Sequence, residues 1–237
     1  YPVVYGEISG ESPSTILFYD HYDVQPPEPL ELWTSPPFEP VQREGKLFGR
    51  GVSDNKGNTV ARLLALRAFQ KMRGKPPISV KFLIEGEEEI GSPNLGAFVE
   101  RNRRLLKADA CIWECGGVNW KDQPIIMLGL KGILYVELEA RGASQDVHSS
   151  MGTVVPNPAW RLVWALASLK DMDENIQIAG FYENVKAPTK QEIQAIKAIP
   201  PDDEETKQSL GLNEFIKGVS GFDYRSRYIL EPICNIC

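Results

Sequence analysis

Short apolar runs alternate with longer amphipathic ones through the first half of the chain. The continuous apolar run from Ser14 to Asp20 predicts a buried strand. Similar runs from Ile78 to Ile84 and from Ala110 to Trp113 predict two more strands. Between them, apolar residues recur at helical spacing from Gly57 to Met72, and a second helix is predicted from Pro93 to Leu106. Strands that alternate with helices in this way indicate an α/β fold with a mostly parallel sheet.

The pattern changes near Lys131, where we place a domain boundary. Ile133 to Ala140 is a longer strand-like run, and Asn157 to Lys170 predicts a helix with a proline in its first turn. We therefore predict two domains. Residues 1–130 form the α/β domain with its flanking helices, and residues 131–237 form part of a smaller α+β domain.

Composition narrows the classes of partner that the protein can have. Hydrophobic residues make up 42% and charged residues 24%, which is ordinary for a soluble globular protein. The net charge of -6 argues against a nucleic-acid partner, because phosphate binding needs a basic patch. No apolar run approaches the length that crosses a bilayer, so we predict no membrane partner and a cytoplasmic location.

The four cysteines leave two interpretations open. Cys234 and Cys237 form a C-x-x-C pair, while three residues separate Cys111 from Cys115. Together they could form a structural zinc site, which usually takes four ligands in two close pairs. The interpretation that we favour is free, partly buried thiols in a reducing compartment.

Histidine and acidic side chains follow the predicted strands at the points where each strand ends. A short strand at Lys46 to Phe48 adds a fourth such end. The residues are His21 and Asp23 after the first strand, Asp54 after the short one, Glu88 and Glu89 after the third, and Glu114 after the last. The carboxyl ends of parallel strands share one edge of the sheet, where ligands bind. Nitrogen and oxygen donors of this kind suit zinc or a similar divalent ion.

Each of these residues also has a simpler interpretation. His21 alone could be a hydrogen-bonded core histidine, although Asp23 is placed to orient a metal-bound imidazole. The run from Glu85 to Glu89 could be a solvated acidic loop. Asp54 could cap the following helix, and Glu114 could be an ordinary surface carboxylate. We favour the metal site because these features converge on one edge of the sheet.

Several segments together carry a specific resemblance. They are DHYDVQP at 20–26, GRGVSDNKG at 49–57, EGEEEIGS at 85–92, Glu114, and DVHSS at 146–150. In this order, and spread over most of the chain, they resemble the aminoacylase–carnosinase family of di-zinc metallopeptidases. The ending Gln25-Pro26 and the stretch from Phe181 to Pro201 look most like the carnosinase-type dipeptidase branch.

The resemblance implies two divalent metal ions, zinc in the first place, with manganese or cobalt as alternatives. His21 and Glu114 would bind the first ion, and Glu89 the second. Asp54 would bridge both ions, with a cis peptide to Asn55. These assignments rest on the family motif rather than on spacing alone.

The resemblance also implies the remaining roles. Asp23 would orient His21, and Glu88 would be the general base. The second domain would be a lid that carries a homodimer contact, and its His148 would reach the active site of the neighbouring subunit. Adjacent carboxylates cannot be told apart from sequence, so the choice of Glu88 over Glu89 as base follows the motif.

The implied reaction is hydrolysis of the amide bond in dipeptides. The alternatives are an N-acyl amino acid deacylase of the same family, or a non-catalytic member if the chain is complete. The family's second metal takes a further histidine near the C-terminus, whereas His21 and His148 are the only histidines here. We therefore expect this chain to be an internal fragment of a longer protein and to be inactive alone.

Overall fold

The computed structural model describes residues 2–114 and 116–237. The chain divides into two compact units, Tyr1–Met127 and Leu128–Cys237. The roles predicted for residues 1–130 and 131–237, as catalytic domain and lid, stay predictions.

The first unit is built around a four-stranded sheet. Four strands form this sheet and two more form a separate hairpin; in chain order they are β1 (Val4–Ile8), β2 (Ser12–His21), β3 (Val41–Arg43), β4 (Lys46–Phe48), β5 (Ile78–Glu85) and β6 (Ala110–Ile112). The sheet has the order β1-β5-β2-β6, and β2 runs parallel to both of its neighbours, while β1 lies antiparallel to β5 at one edge. This arrangement confirms the mostly parallel α/β fold.

The short strand at Lys46–Phe48 forms as predicted, but it does not join this sheet. It pairs with β3 in a separate antiparallel hairpin. Glu44 and Gly45 form the turn with positive φ angles of 50° and 74°, which suits a two-residue hairpin loop. Asp54 therefore reaches the sheet edge through the chain after this hairpin, and not from a strand end.

Three helices flank the sheet: α1 (Gly57–Arg73), α2 (Leu95–Arg101) and α3 (Arg103–Leu106). Helix α1 agrees with the prediction and ends at Gly74, whose φ of 79° is available to glycine at little cost. The helix predicted from Pro93 to Leu106 is broken in two at Asn102. The Asn102 side chain donates a hydrogen bond back to the carbonyl of Phe98 at 2.8 Å, which closes α2.

Apolar residues of β2 and β5 face both sides of the sheet, since successive side chains of a strand alternate. Two buried clusters result: Leu17, Tyr19, Leu83 and Leu106 on one side, and Leu66, Val80 and Phe82 on the other. Full burial of one such side chain is worth about 1.5–3 kcal/mol. Helices α3 and α1 thus cover opposite sides and fix the carboxyl edge of β2, β5 and β6.

The second unit is helical in the residues that the structure describes. Its helices are α4 (Pro158–Ala167), α5 (Lys190–Ala198), α6 (Asp203–Leu210) and α7 (Gly221–Leu230). Asn157 caps α4 by accepting a hydrogen bond from the Ala159 amide at 2.8 Å. The helix predicted from Asn157 to Lys170 ends earlier, at Ala167.

The strand predicted from Ile133 to Ala140 is wrong. This run has no strand partner within the described residues, and its apolar side chains are exposed, with Leu134 at 86%. A lone extended segment leaves its backbone groups unpaired, so no strand can be assigned. Among the described helices, none is long and apolar enough to cross a bilayer.

Candidate active site

His21 lies at the carboxyl end of β2, where it pairs in register with Glu85 of β5. Its side chain is almost fully buried, at 1% exposure. Its Nε2 atom lies 2.8 Å from Oδ1 of Asp54, and its Nδ1 atom lies 3.2 Å from Oδ1 of Asp23. The imidazole is therefore held between carboxylates on both of its nitrogens.

Glu114 comes from the end of β6 to the same place. It is buried, and its Oε2 atom lies 3.2 Å from Nε2 of His21. That oxygen has no hydrogen-bond partner within the described residues. A buried carboxylate oxygen without a donor is costly, so this atom points to a group that would bind it.

Two sets of ligand atoms meet around His21. His21, Glu88 and Glu114 form one set, and His21, Asp54 and Glu89 form the other, with the atoms of each set within 4.8 Å of one another. The structure thus brings together every residue that the sequence predicts as a ligand, and Glu88 with them. A histidine with several carboxylates is a donor set that fits zinc or a similar divalent ion.

The electrostatics of the site follow from this crowding. Burial raises the pKa of Glu114 to about 7, and the Glu88 charge adds to the rise, while His21 opposes it. Burial likewise raises the pKa of Glu88, against the lowering effect of His21. Burial lowers the pKa of His21, but the hydrogen bond that its Nε2 donates to Asp54 and the negative charge of Glu114 outweigh it and raise the pKa. A bound cation would offset this concentration of negative charge.

Asp23 and Gln25 link the ligands to one another. One oxygen of Asp23 faces His21, and the other accepts a hydrogen bond from the Glu89 backbone amide at 2.9 Å. The Gln25 side chain donates to Oε2 of Glu89 at 2.9 Å. The orienting position predicted for Asp23 agrees with this geometry. Gln25 is a contact that the sequence analysis missed, because it noted this residue only as a marker of the family branch.

Asp54 lies in an irregular turn, Val52–Lys56, that runs directly into α1. The peptide bond between Asp54 and Asn55 is cis, as the resemblance implies. Gly51 precedes the turn with a φ of 80°, and a Cβ atom there would lie 2.5 Å from Val24. Only glycine fits this close approach, so the backbone leading to Asp54 is narrowly defined.

Two other carboxylates of the acidic run are buried but lie outside both ligand sets. Glu85 accepts hydrogen bonds from the hydroxyls of Tyr19 and Ser92. Glu87 accepts one from the Asn94 side-chain amide at 2.8 Å. The interpretation of this run as a solvated loop is therefore wrong for these two residues, which anchor the turn that carries Glu88 and Glu89.

His148 has very different surroundings in the second unit. It is exposed, and its Nδ1 atom lies 2.9 Å from the Ser150 hydroxyl and accepts a hydrogen bond from the Ser150 amide. It precedes a short 3₁₀ turn, Ser149–Thr153. Its predicted catalytic role stays a prediction.

The cysteines make no contribution to the ligand sets formed by the described residues. Cys111 and Cys237 are exposed and Cys234 is half-buried, each as a free thiol. Cys115 lies outside the described residues, so the four-cysteine zinc site stays untested.

A buried imidazole surrounded by carboxylates, at the carboxyl edge of a mostly parallel sheet, is typical of the metal site of a metal-dependent protein. The chain matches the peptidase family M20/M25/M40 over residues 17–201, and it belongs to that family. This finding confirms the resemblance of the motifs.

Relatives of the chain include two dipeptidases. The Beta-Ala-His dipeptidase of Homo sapiens is 34% identical over 219 residues, which cover 91% of this chain and 43% of that protein. The Cys-Gly metallodipeptidase of Schizosaccharomyces pombe is 31% identical over 216 residues, covering 89% of this chain and 45% of that protein.

A solved structure also resembles the chain along its length. It is an M20 family metallo-carboxypeptidase from Sulfolobus solfataricus, with a TM-score of 0.92 and 40% identity. The match covers 99% of this chain and 53% of that one. The chain thus spans about half the length of the relatives that it matches.

Proposed function

We propose that the whole protein hydrolyses the amide bond of dipeptides with two divalent metal ions, zinc in the first place. The observation that carries this proposal is the buried Oε2 atom of Glu114, which accepts no hydrogen bond within the described residues and lies 3.2 Å from Nε2 of His21. The dipeptidases among its relatives support the substrate class.

The contacts of His21 suggest how the ligands divide between the ions. Its Nδ1 atom faces Asp23, so only Nε2 is free to bind a metal, and one nitrogen serves one ion. We assign His21 and Glu114 to the first ion and Glu89 to the second. Asp54 would help to hold both ions, since its side chain is 74% exposed and its second oxygen is accessible.

The mechanism places Glu88 as the general base. When bound, the ions supply Lewis-acid activation of the attacking water and of the amide carbonyl. Glu88 takes a proton from that water and returns it to the leaving amine. Its Oε2 atom lies 3.9 Å from Nε2 of His21, and its side chain is 33% exposed, so it faces both the ligands and solvent. Its raised pKa suits a carboxylate that both accepts and donates a proton.

Geometry alone would also allow Glu88 to be a ligand, since it joins His21 and Glu114 within 4.8 Å. The family motif decides for the base, and the two roles differ in one measurable property. Substitution of a general base leaves the metal bound, whereas substitution of a metal ligand weakens metal binding.

The partner and location complete the proposal. We assign the second unit to a lid that forms a homodimer, in which His148 donates to the oxyanion in the neighbouring subunit. The protein acts in the cytoplasm. The lid, the dimer and the role of His148 rest on the family resemblance, whereas the location rests on the cysteines, which we interpret as thiols in a reducing compartment.

A substrate panel tests the proposed reaction. The whole protein is purified, stripped with a chelator, and reloaded with zinc, manganese or cobalt before assay against dipeptides and acetylated amino acids. We expect dipeptide hydrolysis that disappears with the metal and returns with it. Faster hydrolysis of acetylated amino acids would favour a deacylase, and no hydrolysis of either class by the metal-loaded protein would refute the proposal.

A further inference from the structure

Arg62 of α1 contacts two segments at the edge of the sheet, the end of β2 and the chain after β6. One guanidinium nitrogen, Nη1, donates to Oδ1 of Asp20 at 2.6 Å and to the carbonyl of Tyr19 at 3.2 Å. The other, Nη2, donates to the carbonyls of Trp113 and Glu114 at 2.9 and 3.1 Å. Its side chain is 13% exposed, so these contacts are largely shielded from water.

These contacts lie where the strand ladder stops. Strands β2 and β6 pair only as far as Phe18 with Ile112. His21 and Glu114 come after that point, so no ladder bond between the two strands sets their separation. Arg62 connects the two strands beyond this point, because its planar guanidinium bonds both to Asp20, the residue before His21, and to the carbonyl of Glu114.

Asp20 extends the same connection to a third ligand. It is completely buried, and its Oδ1 atom also accepts a hydrogen bond from the Asn55 side-chain amide at 2.9 Å. Asn55 follows Asp54 and is itself buried, with its Oδ1 atom held by Asn58 at 2.7 Å. Arg62 and Asp20 thus connect the segments that carry His21, Asp54 and Glu114.

We propose that Arg62 is a positioning residue for the metal centre, which it sets through Asp20, Asn55 and the backbone of Glu114. This inference rests on the proposed function. The planar fork of a guanidinium carries enough N–H donors to hold a carboxylate and three carbonyls at once. An ammonium at the same place keeps the charge beside Asp20 but cannot span both sides.

A purely structural role is the competing explanation. Arg62 also lies over the Phe18 ring, with its guanidinium carbon 5.2 Å from the ring centre, and so helps to attach α1 to the sheet. Stability and metal binding therefore have to be measured separately.

The test compares Arg62→Lys and Arg62→Gln with Arg67→Gln in the whole protein. Arg67 is an exposed arginine on the same helix and serves as the matched control. Zinc affinity is measured by competition with a chromophoric chelator, the ligand field by the absorption spectrum after cobalt loading, and stability by the melting temperature of the metal-free protein.

We expect Arg62→Lys to fold and to bind zinc about 10–100-fold more weakly, the range typical of losing a group that orients a ligand. Its cobalt spectrum should change, and Arg67→Gln should match the parent. Arg62→Gln should lose at least as much affinity, and if it does not fold, Arg62→Lys decides alone.

Parental zinc affinity and an unchanged cobalt spectrum in Arg62→Lys would overturn the inference, even if the melting temperature falls. That result leaves the proposed function intact, because the parent still binds zinc. A parent protein that binds no zinc would instead refute the proposed function and the inference together.

Discussion

The two histidines of the chain lie in opposite surroundings. In the first unit, His21 is 1% exposed and has carboxylates against both ring nitrogens. In the second unit, His148 is exposed and, within the described residues, its ring bonds only to Ser150. The first unit holds its histidine in one orientation, as a metal ligand requires. The second leaves His148 free to meet a group from elsewhere.

This difference fits the two roles that we propose, a metal ligand for His21 and an oxyanion donor for His148. A ligand is effective only if its lone pair is directed, which the contacts of Asp23 with Nδ1 of His21 provide. A donor to a transient oxyanion acts only once substrate is bound, so it need not be fixed beforehand. Mutations at the two positions should therefore have different consequences.

The largest expected effect comes from His21→Ala, set against His148→Ala. His21→Ala removes the nitrogen ligand assigned to the first ion and should abolish both the binding of that ion and activity. His148→Ala should keep its full metal content and lose activity by about 10²–10³-fold, the usual cost of one oxyanion donor. Metal analysis and kcat on the whole protein check both. Equal metal loss in the two variants would contradict the assignment of His21 as a metal ligand and of His148 as an oxyanion donor.

The second largest effect is expected for Glu88→Gln. This variant tests whether Glu88 acts as the general base or as a metal ligand. The amide keeps the shape of the side chain but cannot take the proton, so kcat should fall by about 10²–10⁴-fold with metal retained. Glu89→Gln is the matched variant and should lose metal as well. A Glu88→Gln protein that loses metal would assign Glu88 to the first ion, and one with the parental rate would exclude it as base.

Hybrid dimers sharpen the comparison between the units. Glu88→Gln and His148→Ala are each expected to be inactive as homodimers. If His148 acts in the neighbouring subunit, mixing the two should restore part of the activity, because one site of the hybrid then has both groups intact. Subunit exchange is verified with differently tagged chains. No recovery despite proven exchange would argue that His148 acts within its own subunit or not at all.

The smallest effect is a dependence of metal affinity on pH. Glu114 has a pKa raised to about 7 in the metal-free protein, and a metal binds its ionised form. A metal must also displace the proton of His21, whose pKa is likewise raised. Affinity should therefore fall as the pH drops, by up to about tenfold per pH unit for each proton displaced, and Glu114 adds a second proton to that of His21. Competition titrations between pH 5.5 and 8.5, roughly spanning this range, would show the displacement of only about one proton if Glu114 is not a ligand.

Much of the first unit could be predicted from the sequence. Strand β2, helix α1 and strand β5 match their predictions within two residues, because long apolar runs and helical spacing are strong signals. Strand β1 was missed, since its half-exposed sequence has no such run. Helix α5 was also missed, although Thr189 and Glu192 form a capping box that marks its start.

The candidate site likewise contains residues that the sequence could predict and residues that it could not. His21, Glu88, Glu89 and Glu114 could be located because they follow strands whose ends must meet, and Asp54 by its motif. The sequence could not predict the contacts of three further residues, because these contacts depend on how distant segments pack. They are Gln25, Asn55 and Arg62. The extended run after Lys131 failed as a strand for a related reason, since a strand is defined by a partner and not by its own residues.

We propose that the first unit holds a two-ion centre with His21, Asp54, Glu89 and Glu114 as ligands. A crystal structure of the zinc-loaded whole protein, with anomalous data at the zinc edge, would show whether these side chains bind the ions. We expect two zinc ions about 3.5–4 Å apart that share Asp54. One should be bound by Nε2 of His21 and by Glu114, and the other by Glu89, at about 2.0–2.2 Å. Zinc bound by other residues, or no zinc within reach of these four side chains, would contradict it.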